Sequence, residues 1–160
     1  MNASLLIAAL REHGKSLCVA ESLTGGALAS ALVDVAGASE VFLGGVVSYT
    51  ITSKRDVLGV SEEELAHGVV SQEVAIAMAR CARALFNSDY AISTTGVAGP
   101  GPQDGVEPGT VWVGFASKTC SDAVLIKLAG DRRQIRAAAV MAALELVDGQ
   151  EAFTGLRQSK

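Results

Sequence analysis

Leu17-Cys18-Val19-Ala20-Glu21-Ser22-Leu23-Thr24-Gly25-Gly26 decides the fold. Its first four residues are wholly apolar, as in a strand buried on both faces. From Thr24 the apolar residues recur at helical spacing to Val35, and Gly37 closes the pattern. A buried strand leading directly into a helix is the unit of an α/β fold. Ser22 stands at the junction, where unpaired backbone N–H groups at a helix start point outward. Such groups bind an anion, or the oxyanion of an acyl transfer.

Working outward, residues 3–12 form a helical pattern ended by His13-Gly14. The stretch 42–50 is rich in β-formers, and 53–58 spans one or two helical turns up to Gly59. Ser61-Glu62-Glu63-Glu64 is a capping box. A long Ala-rich helix runs from 71 to 86, and a second buried strand from 89 to 95. Residues 96–109 make the long loop, with glycines at 96, 99, 101, 105 and 109. Thr110 to Ser117 and Ala123 to Leu128 predict a hairpin, and Asp131 with Gln134 caps a last helix reaching Val147. The tail beyond Gly149 is polar and expected to fray. The whole predicts one domain with a three-layer α/β/α architecture, a mixed sheet flanked by helices.

The 160 residues are 49% hydrophobic and only 4% aromatic, so the core is aliphatic. Net charge is −4, and no basic tract or aromatic-basic stripe appears, which argues against nucleic acid as a ligand. The N-terminus has no basic n-region, and Arg11, Glu12 and His13 interrupt its apolar stretch, so neither a signal peptide nor a membrane span is expected. Cys18, Cys81 and Cys120 are odd in number and widely spaced, which suits free thiols in a reducing cytoplasm better than a metal site. The Ala-rich helix packs either internally or against a second copy; a homo-oligomer stays open.

Ligands of such sheets lie beyond the carboxyl ends of the strands. Those ends are rich in hydroxyls: Ser22, then Ser48-Tyr49-Thr50, then Thr94-Thr95-Gly96. Ser22 is either a helix N-cap, a role Thr24 fills equally well, or a nucleophile. Gly25 and Gly26 weaken a helix start and suggest that something approaches the backbone closely. The chain has two histidines, so a lysine is the alternative base. Lys54 is either a solvated surface amine or that base. As a base its pKa must fall from about 10.4 to about 7–8, which takes on the order of 4 kcal/mol of environmental bias. Tyr49 relays the proton, orients the amine, or is only a strand residue with a wet hydroxyl. Glu21 orients Lys54 or a substrate hydroxyl, or lies on the surface. The loop at Gly96 and Gly99, flanked by Thr94 and Thr95, fits no P-loop, yet its amides can converge on a phosphate. Arg132 and Arg136, spaced i, i+4, form either a solvated face or an anion site.

Taken together, Ala20-Glu21-Ser22-Leu23-Thr24-Gly25-Gly26, Val47-Ser48-Tyr49 with Lys54, Gly59-Val60, Thr95-Gly96-Val97-Ala98-Gly99-Pro100, Pro108-Gly109-Thr110-Val111-Trp112 and Gly130-Asp131-Arg132 with Arg136 resemble the CinA C-terminal domain family. The likeness covers nearly the whole chain; each segment alone is weak, and their order and spacing are specific. It points to the stand-alone form, without the family's N-terminal domain. That implies a nicotinamide-nucleotide amidase, converting nicotinamide mononucleotide and water to nicotinate mononucleotide and ammonia in pyridine nucleotide recycling. It further implies Ser22 as nucleophile and Lys54 as base; in the mechanism expected of them, Lys54 takes the Ser22 proton directly or through Tyr49. The oxyanion would lie on amides of Thr24, Gly25 and Gly26, and the phosphate on Arg132 or Arg136 with the glycine loop. No metal or cofactor is implied, and the partner is the small-molecule substrate. Members often carry Cys where this chain has Leu23, a side chain outside the proposed chemistry. Two alternatives stand beside this reading: a nucleotide-binding module without turnover, and a Ser-Lys amidohydrolase of another small amide.

Overall fold

A computed structural model describes residues 2–147; the tail expected to fray lies outside the described residues. Five strands form one mixed sheet: β1 (Leu17–Glu21), β2 (Phe42–Val47), β3 (Tyr90–Gly96), β4 (Thr110–Ala116) and β5 (Ser121–Lys127), in the order β2-β1-β3-β4-β5. β1 runs parallel to β2 and β3, and β4 is antiparallel to β3 and β5. The helices are α1 (Ala3–Glu12), α2 (Ala27–Val33), α3 (Ile51–Asp56), α4 (Glu62–Leu65), α5 (Gln72–Phe86) and α6 (Arg132–Val147). Among the described residues no helix is long and apolar enough to cross a membrane.

The three layers follow from the parity of the strands. Leu17 and Val19 of β1, Ile92 of β3 and Val111, Val113 and Phe115 of β4 bury one face beneath α1, α2 and α6. Cys18, Ala20, Ala91 and Ala116 turn to the other face, beneath α5 and the segment from Leu58 to Leu65. That second face is lined with small residues, and α5 answers with alanines at 75, 77, 79 and 82. The approach is close: a Cβ on Gly114 would meet the Ala75 carbonyl oxygen at 2.3 Å, and Ser93 Oγ donates to that oxygen at 2.6 Å. The Ala-rich helix thus spends its small face internally, on the sheet.

Beside the site, three boundaries depart from the sequence pattern. The helix expected from Thr24 begins at Ala27, because Gly25 (φ 60°) and Gly26 (φ 96°) are left-handed and break the first turn. The strand expected to reach Thr50 ends at Val47, and α3 starts at Ile51 rather than Ser53. Thr50 is its N-cap: Thr50 Oγ1 accepts from the Ser53 amide, and Ser53 Oγ accepts from the Thr50 amide. Asp131 and Gln134 cap α6 reciprocally, as their spacing predicts.

Candidate active site

Ser22 follows β1, and its side chain falls on the parity of Cys18 and Ala20, toward the α3–α5 face. Lys54 reaches the same place from the last turn of α3. Its Nζ lies 2.9 Å from Ser22 Oγ and donates to the Ser48 carbonyl oxygen at 2.9 Å. Both residues are shut away, with Lys54 2% exposed and Ser22 8%. Burial lowers the Lys54 pKa to about 8, within reach of the neutral form. Among the described residues no carboxylate is bonded to the amine to restore its preference for the charge. A neutral amine has two N–H groups and one lone pair. With one N–H fixed on Ser48, the lone pair can face the Ser22 hydroxyl. Lys54 is thus a buried amine in contact with the Ser22 hydroxyl rather than a solvated surface amine.

Glu21, one residue earlier, has the opposite parity and points to the other face. It is fully buried, and its carboxylate accepts from the amides of Gly26 and Leu28 through Oε2 and of Ala29 through Oε1, at 2.8–3.0 Å. It neither orients Lys54 nor lines the cavity, and so is not a substrate ligand. It is the buried N-terminal anion of α2. This corrects the expectation for the glycine pair as well. What comes close to Gly25 and Gly26 is protein: Glu21 on the Gly26 amide, and the Arg136 guanidinium 3.2 Å from where a Gly25 Cβ would stand. The Gly25 amide donates to the Ser22 carbonyl. Neither glycine amide is left for an oxyanion.

Arg136 is likewise reassigned. Its Nε donates to the Leu23 carbonyl and its Nη2 to the Thr24 carbonyl, each at 2.8 Å. It braces the turn after Ser22 and does not line the cavity. The peptides here are trans, so holding the Leu23 carbonyl on Arg136 turns the Thr24 N–H to the opposite side. The amides of Leu23 and Thr24 donate to no protein acceptor among the described residues. They are the free donors of this turn. The Thr24 side chain is committed elsewhere, to Thr94, with the two Oγ1 atoms 2.7 Å apart in a buried pair. Thr94 thus faces α2, and the two hydroxyls bond to each other away from the cavity wall. Thr95, of opposite parity, faces the cavity and donates to the Val69 carbonyl at 2.6 Å.

The cavity holds about 540 Å³. Ser22, Leu23 and Lys54 line it, with Tyr49, Thr50 and Ile51 on one side and Thr95 through Gln103 on the other. Gly96 and Gly99 are both in its wall, although a Cβ on Gly96 would meet the Thr110 carbonyl oxygen at 2.6 Å, so that glycine serves the β3–β4 contact. Among the described residues, Lys54 and Arg132 are the charged side chains that line it, and no Asp or Glu does. Arg132 donates to the Gly99 carbonyl through Nη1 at 2.8 Å and to the Tyr49 hydroxyl through Nη2 at 2.5 Å. Tyr49 therefore does not orient the amine; the Ser48 carbonyl does, a group that residue identity could not flag. Lys54 meets Ser22 directly, with no intermediary between them. Val69, Val70 and Ile51 also line the cavity and carry no motif. Among the described residues no cluster of His, Cys, Asp or Glu is disposed to hold a metal ion.

Comparison with known proteins follows the same lines. Residues 2–150 match the CinA C-terminal domain family. A CinA-like protein of Frankia casuarinae is 44% identical over 144 residues, 89% of this chain and 33% of that protein. A putative competence-damage inducible protein of Bacillus pumilus is 45% identical over 133 residues, 82% of this chain and 32% of that one. The chain thus spans about a third of the length of these curated relatives. Among solved structures, a competence-damaged protein (CinA) superfamily protein from Escherichia coli has a TM-score of 0.87 and 35% identity, over 91% of this chain and 86% of that one. The competence/damage inducible protein CihA from Agrobacterium tumefaciens has a TM-score of 0.87 and 34% identity, with 92% of each chain covered.

Proposed function

The chain belongs to the CinA C-terminal domain family, and from that premise we propose that it is a Ser-Lys amidase acting on nicotinamide mononucleotide. The carrying observation is the 2.9 Å contact between Lys54 Nζ and Ser22 Oγ, buried at the wall of a cavity that no carboxylate among the described residues lines. Neutral Lys54 takes the Ser22 proton as Oγ attacks the carboxamide carbon. The tetrahedral oxyanion is received by the Leu23 and Thr24 amides. The Lys54 ammonium then gives its proton to the amide nitrogen, the C–N bond breaks, and ammonia leaves. Lys54, neutral again, takes a proton from a water whose oxygen attacks the acyl carbon; the C–O bond to Ser22 breaks, Lys54 returns the proton to Ser22 Oγ, and nicotinate mononucleotide leaves.

Substrate charge suits the cavity. Its charged lining is cationic only, and Arg132 is a donor fork for a phosphate. Such an activity would return nicotinamide mononucleotide to the pyridine nucleotide pool in the cytoplasm.

The test is ammonia release from nicotinamide mononucleotide by purified protein with no metal added. Turnover is expected in the wild type and its loss by at least about 10³-fold in Ser22→Ala, with the fold intact. Binding of the nucleotide without ammonia release would leave a nucleotide-binding module. Equal turnover of unphosphorylated amides would point to another small amide as substrate.

A further inference from the structure

Arg132 holds an unusual position for a cation. It opens α6, where a positive charge opposes the helix dipole, and it is exposed. No carboxylate forms an ion pair with it among the described residues. It donates instead to two neutral oxygens on opposite lips of the cavity. Tyr49 follows β2 and Gly99 follows β3, and these strands flank β1, whose end carries Ser22. The guanidinium therefore arches over the strand end that bears the nucleophile. Nη1 and Nη2 each keep one N–H beyond these bonds, and Nε keeps its own.

Tyr49 is 53% exposed, so burial does little to hold it. Its hydroxyl oxygen accepts from Arg132, which leaves the phenolic proton free to be donated. The Gly99 segment is a loop with glycines at 96, 99 and 101 and takes its tie to α6 from the same guanidinium.

We propose that Arg132 is an anion-operated clasp: an anion on its remaining N–H groups fixes the guanidinium and, through it, Tyr49 and the Gly99 loop over Ser22. Arg132 is then both the residue that selects an anionic substrate and a positioning residue for Tyr49. The substrate's anionic end raises turnover as well as affinity, because its binding energy orders the lips around the reacting amide. The turnover part of this inference rests on the amidase reading; the clasp itself does not.

Two measurements on the full chain test it, using wild type and Arg132→Met, the latter checked for an unchanged melting temperature. In the first, ribose 5-phosphate is added and hydrogen exchange is followed in peptides covering 48–52 and 96–103. Exchange is expected to slow several-fold in the wild type and to stay unmoved in Arg132→Met. No slowing in the wild type, or equal slowing in the variant, overturns the clasp. In the second, ammonia release from nicotinamide riboside is followed with and without phosphite. Phosphite is expected to raise wild-type turnover at least tenfold at saturating riboside and to leave that of Arg132→Met unchanged. Activation of both proteins, or of neither, overturns the coupling to turnover. If the wild type hydrolyses neither nicotinamide compound, the amidase reading fails, and hydrogen exchange alone decides the clasp.

Discussion

Lys54 Nζ stands 2.9 Å from Ser22 Oγ across a separation of 32 residues, and its pKa, lowered by burial to about 8, lets the neutral amine form near physiological pH. For the proposed amidase, kcat/KM should rise tenfold per pH unit below about 8 and level off above it. Lys54→Arg, which cannot deprotonate, should lose activity by at least about 10³-fold at every pH. A pH–rate profile flat between 6 and 9 would remove Lys54 as the base.

The same burial costs stability at neutral pH. Unfolded Lys54 titrates near 10.5 and folded Lys54 at about 8, so between these values the unfolded chain holds the extra proton. Stability from burying the neutral amine is full above 10.5 and is lost as pH falls to about 8. The difference is on the order of 3 kcal/mol. Lys54→Met should therefore be more stable than wild type at pH 7, and the gap should narrow toward pH 10. Urea denaturation at the two pH values checks both statements.

Glu21 accepts three backbone amides with no solvent access. Glu21→Gln keeps the shape but sets an NH2 group against a row of donors. A loss of about 2–4 kcal/mol in unfolding free energy is expected. A change below about 0.5 kcal/mol would mean that water replaces the carboxylate.

Arg136 holds the Leu23 carbonyl, whose peptide carries the Thr24 amide, and the Thr24 carbonyl on the next peptide. Arg136→Met should lower kcat by about 10²–10³, the scale of a lost oxyanion donor, with little change in KM. A raised KM at unchanged kcat would return Arg136 to phosphate binding.

Gly114 leaves α5 no room for a methyl group, since its Cβ would lie 2.3 Å from the Ala75 carbonyl oxygen and 2.4 Å from Ser93 Oγ. Gly114→Ala should destabilise the protein by about 2–3 kcal/mol, read as a lower urea midpoint.

Much of this site was legible in residue order. The hydroxyl-rich strand ends at 22, 48–50 and 94–96 lie at one end of the sheet, as α/β connectivity requires. Glu21 carries a sequence signal for its buried role. It shares parity with Leu17 and Val19 on a buried face and is followed by two glycines. A carboxylate there needs donors, and the adjacent helix start supplies them. The same parity argument separates Thr94 from Thr95. Arg132 and Arg136 defeated a helical-face argument: sharing one face of α6, they still reach different partners, because each long side chain ends on whatever loop lies above it.

Local sequence determined the strands, most helices, the capping boxes and the family, since periodicity and short-range hydrogen bonding act within a few residues. Tertiary structure alone decided that Lys54 is buried and faces Ser22, that Glu21 and Arg136 support the turn, and that Arg132 spans the cavity. Burial and long-range pairing depend on how separate elements pack, and it is packing that excludes water from an amine and shifts its pKa.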